Sequence, residues 1–225
     1  MRMISTRFSV VRLLGIVRRH IRLLKQVFNA ENLISQIQPD FDALSAKQAE
    51  IESKIRAREN AYDDMALADH MADDAVRNLF DACQQFDRNN PGNNVTQRVF
   101  PDEKFGEIIR LPLASEVIQI EKLVIRLKEL GEEHSLAQLV TELESKNTAI
   151  NTAMNAYQDS VHSVKTTEAE AEIAKEALIR KYELNYLEAR KTYGRKDVEK
   201  LFPKIFQRVS GVEADEESDS QADAA

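Results

Sequence analysis

The residues best suited to chemistry are acids and a histidine crowded into one short segment. They are Asp63, Asp64, Asp69, His70, Asp73 and Asp74. Carboxylates and imidazoles on neighbouring helical turns are typical ligands in dimetal bundles, which use Glu and Glu-x-x-His motifs that project inward. This chain has no Glu-x-x-His, and its nearest equivalent is Asp159-Ser160-Val161-His162. A carboxylate and histidine metal-binding bundle is therefore one alternative for the function.

The predicted facing of the histidines argues against that alternative. If the chain folds back on itself at residues 89–115, His70 lies level with His134, beside Glu132 and Glu133. Counted from the hydrophobic positions of each helix, His70, His134 and His162 all fall on outward-facing positions. We therefore predict that these groups form a solvated face, and we predict no metal site and no cofactor.

Motifs of known enzyme classes are missing from the sequence. It contains no GxxxxGK[ST], GxGxxG, GxSxG, HExxH or CxxC. Cys83 is the single cysteine, so no internal disulfide can form. It occupies a predicted core position, where a thiol acts as a small hydrophobe. We predict a protein that is not an enzyme and has no small-molecule substrate.

Long helices would position these residues. Between Phe41 and Phe86 fourteen positions are spaced alternately three and four residues apart, and eleven of them are apolar. Arg58 and Asp69 are two of the polar exceptions, and we expect an opposite charge or solvent beside each because burying an unpaired charge is costly. From Ala61 onward small and apolar residues also flank these positions. The second half is therefore predicted to contact several helices, and the first half to be closer to a two-stranded coil.

Glycine and proline mark the expected helix ends. The predicted helices cover residues 8–28, 40–88, 116–130 and 135–193. Pro39 followed by Asp40 predicts the start of the first long helix, and Gly131 and Gly194 predict two ends. Residues 95–114 lack a helical period and are predicted to be a non-helical apolar loop or a small hairpin. A short docking helix is expected within 195–209.

The first 30 residues carry seven cations and no acid, whereas the other 195 carry 24 cations and 38 acids, a net charge of −14. On a helical wheel these cations oppose an apolar face. We expect the apolar face to dock on the bundle; the alternatives are an anionic membrane surface and a mitochondrial presequence. Nucleic acid is not the expected partner, because the body is acidic and no aromatic residues are interleaved. The cations offered to an anionic partner are Arg12, Arg18, Arg19, Arg22 and Lys25.

Three segments carry a resemblance to a known family. They are Leu-Glu-Ser-Lys-Asn-Thr-Ala-Ile-Asn-Thr-Ala-Met at residues 143–154, the Ala-rich, Asp-containing helix around 61–80, and Tyr193-Gly194 followed by Leu201-Phe202. Over residues 40–205 the chain resembles a family of uncharacterised long-helix bacterial proteins. The resemblance implies a bacterial cytoplasmic helical bundle and carries over no activity.

The sequence thus predicts an all-α protein, an elongated antiparallel helical bundle or coiled coil built on two long helices. We divide it into a basic amphipathic N-terminal helix (1–30), a bundle domain (31–209) and a disordered acidic tail (210–225). No apolar run approaches the ~18 residues of a membrane span, and a cytoplasmic location is expected. The expected function is that of a non-catalytic interaction or scaffold protein that binds a protein partner or itself. The alternative is a peripheral membrane binder that uses the N-terminal helix.

Overall fold

The computed structural model describes residues 4–27, 29–101 and 105–202. Within those ranges six helices follow one another: α1 (Val10–Leu24), α2 (Glu31–Asn89), α3 (Val95–Val99), α4 (Phe105–Ile108), α5 (Leu113–Lys128) and α6 (Gln138–Leu201). The described residues contain no strand, so the all-α prediction is confirmed. None of the described helices combines the length and the hydropathy needed to cross a membrane. The predicted acidic tail, 210–225, lies outside the described residues.

Helix α2 begins earlier than its proline predicts. Pro39 was expected to precede the helix, with Asp40 as its N-cap, but Pro39 lies inside α2. A proline in a helix interior costs about 3 kcal/mol because it removes one backbone hydrogen bond. Leu33 and Ile37 before the proline and Leu44 after it are all fully buried. This burial on both sides of Pro39 offsets its cost, and the prediction of a helix start at residue 40 is wrong.

The two long helices, α2 and α6, pack against each other in an antiparallel arrangement. Lys47 forms an ion pair with Glu170 at 2.6 Å, and the rings of Tyr62 and Tyr157 meet edge to face with their centroids 5.7 Å apart. Residue numbers therefore rise along one helix as they fall along the other. No residue in 45–71 or in 151–163 is fully buried. The sequence predicts a thin first half that ends near Ala61, but the thin stretch of α2 runs from 45 to 71, so it begins after the buried Leu44 and extends into the predicted second half.

The described chain divides into two compact units. Unit 1 combines the residues up to Ala46 with those from Glu172 onward, and unit 2 is Lys47–Ala171. The predicted boundary at residue 30 does not coincide with this division. Helix α1 belongs to unit 1 together with the start of α2 and the end of α6, because its apolar face is buried there. The fully buried hydrophobic residues of α1 are Leu13, Leu14, Val17, Ile21 and Leu24.

Unit 2 has a hydrophobic core formed by the second half of α2, the short helices, α5 and the start of α6. The core includes Ala72, Val76, Leu79, Cys83, Val95, Val99, Ile120, Leu123, Leu127, Leu143 and Ile150. The prediction of a non-helical loop or hairpin at 95–114 is wrong, because this segment contains α3 and α4. Asp87 on α2 explains α3: its carboxylate accepts hydrogen bonds from the backbone N–H groups of Val95 at 2.6 Å and Thr96 at 2.9 Å. A side chain distant from the segment thus supplies the cap that the segment lacks.

Two glycines interrupt the helices where the sequence predicts. Gly131 follows α5 with φ 98°, and Gly194 interrupts α6 with φ 78°. Both conformations lie in the left-handed region that favours glycine. After Gly194 the chain is helical again to Leu201, and Val198, Leu201 and Phe202 are buried in unit 1. In its described part, the predicted docking helix is confirmed.

Candidate functional site

Three carboxylates of unit 2 come together between α2 and α5. Asp69 and Asp73 are one turn apart on α2 and therefore share a face, and Glu116 lies in the first turn of α5. One oxygen from each of the three lies within 4.8 Å of the other two. We call these three residues the acid cluster.

The acid cluster is buried on its α5 side. Glu116 is only 1% exposed, and its Oε1 atom has no hydrogen-bond partner among the described residues. Asp73 is half-buried, and its Oδ1 atom is also without a partner there. The other oxygen of Asp73, Oδ2, lies 3.4 Å from Nη2 of Arg77. Two buried carboxylate oxygens are thus left unsatisfied, although most buried polar atoms in native proteins are hydrogen-bonded.

Burial and mutual repulsion change the acidity of these groups. Burial is the main cause that raises the pKa of Glu116 to about 8, and the neighbouring carboxylates of Asp69 and Asp73 raise it further. Burial also raises the pKa of Asp73. Both effects disfavour the ionised form. The acid cluster is therefore a place where negative charge needs compensation.

Asp69 is half-buried, so solvent reaches it, as the sequence predicts. The two further carboxylates beside it were not predicted. Glu116, the third member of the cluster, was not among the candidate acids predicted from the sequence. An acid in the first turn of a helix is favoured by the helix dipole, so its position gave no sign of a site. No sequence spacing relates residue 116 to residues 69 and 73, because a turn and two short helices separate them. Only the packing of α5 on α2 reveals the cluster.

The histidines of the predicted solvated face do not join the cluster. His70 is exposed and lies 3.9 Å from Asp74, and His162 is exposed. His134 is half-buried, and its ring lies 4.5 Å from that of Phe86. The outward facing is therefore confirmed for two of the three, whereas His134 packs on an aromatic ring.

Helix α1 presents its cations to solvent, on the side opposite its buried face. Arg12, Arg18, Arg19, Arg22 and Lys25 are all exposed, and we call them the basic face. The guanidinium of Arg12 lies 4.1 Å from the ring centre of Phe8, and that of Arg18 lies 5.8 Å from Phe41. The ion pairs between described residues involve none of Arg18, Arg19, Arg22 and Lys25. The basic face is thus a row of exposed positive charges on a docked helix.

Unit 1 also buries polar groups, among them a neutral histidine. His20 on α1 is fully buried, and its Nδ1–H donates to the backbone oxygen of Leu201 at 2.8 Å. Its ring packs on Tyr182 and Phe202, at 5.1 Å and 4.1 Å between ring centres. Burial lowers the pKa of His20 to about 4, although the bond to Leu201 partly opposes the shift. The imidazole is therefore neutral at pH 7 and fixes α1 to the chain segment after Gly194.

Cys83 is fully buried in the core of unit 2, as predicted. Burial, together with the charge of Asp87, raises the pKa of its thiol to about 12. Because the thiolate is the nucleophile, this cysteine is inert in the folded protein.

No protein-family model matches this chain, and neither a curated protein nor a solved structure matches it. The function is therefore argued from the residues themselves, and the resemblance to a bacterial long-helix family stays a prediction.

Proposed function

We propose that the protein is a non-catalytic interaction protein whose basic face on α1 binds an acidic surface of a protein partner. One observation carries the proposal. The cations of this face stand exposed on a helix that is already docked, and Arg18, Arg19, Arg22 and Lys25 form no ion pair with a described carboxylate. A cytoplasmic location goes with this proposal.

Docking of α1 makes the basic face rigid. The opposite side of the helix is held in unit 1 by Leu13, Val17 and Leu24, which are fully buried. Charged side chains on a fixed helix lose less freedom on binding than the same side chains on a disordered arm. Such a face contributes mainly to the rate and specificity of association, because its ion pairs are exposed to solvent.

The same burial weighs against the alternative, a peripheral membrane binder. An amphipathic helix that lies on a membrane places its apolar face among the acyl chains. In this protein that face is packed inside unit 1, so membrane insertion requires α1 to leave the unit. Purely electrostatic adsorption to anionic lipid remains the competing explanation for the cations, and the experiment below includes it.

The test measures binding of a fluorescent 20-residue polyglutamate peptide by anisotropy at low salt. The first variant replaces Arg18, Arg19, Arg22 and Lys25 by Gln. We expect about tenfold weaker binding, because each exposed ion pair contributes about 0.2–1 kcal/mol and four are removed. Raising the salt concentration should weaken wild-type binding as well, since these charges are screened.

A matched control separates the position of the charges from their number. The control variant replaces four other exposed cations of unit 1 by Gln, namely Arg190, Lys191, Arg195 and Lys196. Both variants lose the same charge, so the control should bind the peptide at nearly wild-type strength. Equal losses in the two variants, or no binding by the wild type, contradict the proposal. If the wild type binds phosphatidylglycerol vesicles, measured by sedimentation, more tightly than it binds the peptide, the membrane alternative is favoured.

A further inference from the structure

We propose that the acid cluster of Asp69, Asp73 and Glu116 is a binding site for one hard divalent cation of the Ca²⁺, Mg²⁺ and Mn²⁺ class. The site lies within unit 2, between α2 and the first turn of α5. It is separate from the basic face on α1 and does not depend on the proposed function.

The spacing of the three carboxylates fits a single ion. Ca²⁺ binds oxygen at 2.3–2.6 Å, so two oxygens on one Ca²⁺ are at most about 5 Å apart. One oxygen from each of the three side chains lies within 4.8 Å of the others. Rotation of the Asp69 and Asp73 carboxylates, which are half-buried, adapts the site to the shorter bonds of Mn²⁺ or Mg²⁺.

A buried, unsatisfied oxygen distinguishes this cluster from an ordinary acidic surface. Glu116 is 1% exposed, and its Oε1 atom has no hydrogen-bond partner among the described residues, while one of its oxygens lies within 4.8 Å of an oxygen of each aspartate. Oδ1 of Asp73 is likewise buried and unpaired. Buried charges in proteins are paired or coordinate metals. The exposed acids Asp63 and Asp64, on the same helix, have no such constraint.

The cations of the described chain compensate this charge only in part. Arg77 is the cation that pairs with the cluster, and its shorter contact, 2.7 Å, goes to Asp74 outside the cluster. Its contact with Asp73 is 3.4 Å and involves only Oδ2. The two unpaired oxygens therefore share no cation of the described chain, and a bound ion supplies the missing positive charge.

The donor set selects the class of metal. All three ligands are carboxylate oxygens, which suit Ca²⁺, Mg²⁺ and Mn²⁺, whereas Zn²⁺ prefers sites with imidazole or thiolate. His70 turns outward to Asp74, and Cys83 lies in the core with its thiol protonated. Water molecules would complete the coordination on the exposed side of the aspartates.

The test titrates the full-length protein, freed of metal by EDTA and dialysis, with Mn²⁺ and counts free Mn²⁺ by its electron paramagnetic resonance signal. Ca²⁺ and Mg²⁺ are then added as competitors. We expect one Mn²⁺ per chain with a dissociation constant below about 1 mM, the weak end of protein Ca²⁺ sites. Each ion that binds should also raise the melting temperature, because it binds the folded state.

Variants locate the binding. Glu116→Gln should weaken Mn²⁺ binding at least about tenfold, the lower range for losing a group that supports a metal site. Asp63→Asn removes the same charge from an exposed position and should change the affinity less than about twofold. Asp73→Asn serves as a second test if Glu116→Gln lacks the wild-type circular dichroism spectrum. Absence of saturable binding for all three ions overturns the site and leaves the carboxylates to share a proton. Equal effects of Glu116→Gln and Asp63→Asn overturn it too.

Discussion

The two units differ in how their buried polar groups are paired. In unit 1 His20 donates to the oxygen of Leu201, and the side-chain amide of Asn185 donates to the oxygen of Leu33 at 2.8 Å. The buried charge of this unit, Lys175, is paired with Glu172 at 3.0 Å. In unit 2 the acid cluster brings like charges together, and Oε1 of Glu116 and Oδ1 of Asp73 have no hydrogen-bond partner among the described residues. The paired polar groups of unit 1 therefore hold chain segments in place. The carboxylates of the acid cluster oppose folding unless their charge is neutralised.

Whether a buried polar group is paired helps to decide whether it stabilises the fold or marks a binding site. A neutral group that donates to a carbonyl of another segment adds about 0.5–1.5 kcal/mol and fixes how the segments pack. Buried carboxylates without partners cost stability. A costly arrangement in an otherwise well-packed core is a better candidate for binding than a stabilising one. We therefore assign His20 to the architecture of unit 1 and the acid cluster to a site.

The largest expected effect comes from removing the imidazole of unit 1. His20→Ala leaves a cavity beside Tyr182 and Phe202 and removes the donor to Leu201, so the free energy of unfolding should fall by about 4 kcal/mol. Urea denaturation followed by circular dichroism measures it. His162→Ala, at an exposed position, is the control and should change stability by less than about 0.5 kcal/mol. A loss of less than about 1 kcal/mol at His20 would contradict its structural role.

The second largest effect is a dependence of the free energy of unfolding on pH, caused by His20 in unit 1. The folded protein keeps His20 neutral down to pH about 4, whereas a histidine in the unfolded chain has its usual pKa of 6.5. As pH falls from 6.5 to 4 the unfolded state therefore binds a proton that the folded state does not, and stability should decrease by about 3 kcal/mol in total. Below pH 4 this contribution is constant.

Replacing His20 by a neutral residue separates its contribution to the pH dependence of stability from the contribution of the carboxylates. His20→Gln keeps a donor for Leu201 and cannot take up a proton. The difference between wild type and this variant, measured by urea denaturation at several pH values, should follow the histidine titration. A difference that does not vary between pH 6.5 and 4 would show that His20 is already accessible to protons in the folded protein.

The third effect has the opposite sign and belongs to unit 2. In EDTA at pH 8.5, Glu116→Gln should raise the free energy of unfolding by about 2 kcal/mol, because a neutral amide replaces a buried carboxylate beside two others. Cys83 reports on this unit alone, since it is the single cysteine. Its reaction with a thiol reagent should be slower in the variant than in the wild type. A faster reaction would mean that the carboxylate stabilises the unit without a cation.

The same comparison shows what the sequence could predict. Spacing and glycine positions predicted the long helices and the breaks at Gly131 and Gly194, because these depend on neighbours along the chain. They predicted a thin stretch of α2 as well, but placed its end near Ala61, whereas no residue is fully buried as far as 71. The start of α2 and the helix α3 were missed, since burial around Pro39 and a cap from Asp87 are tertiary effects. The acid cluster was missed for the same reason: two of its three residues, Asp69 and Asp73, lie on α2, but Glu116 reaches them only through the packing of α5.

The smallest effect tests the thin stretch of unit 2, where neither long helix has a fully buried residue. Tyr62 is 53% exposed and meets Tyr157 edge to face. Tyr62→Ala should cost only about 1 kcal/mol, because an aromatic pair is worth about 0.5–1.5 kcal/mol beyond its burial and most of this ring is already in water. A double-mutant cycle with Tyr157→Ala measures the pair itself. If Tyr62→Ala lowers the free energy of unfolding by more than about 2 kcal/mol, further residues pack around the pair and the two-stranded arrangement is contradicted. A small loss fits a unit 2 whose stability resides in the core around Cys83.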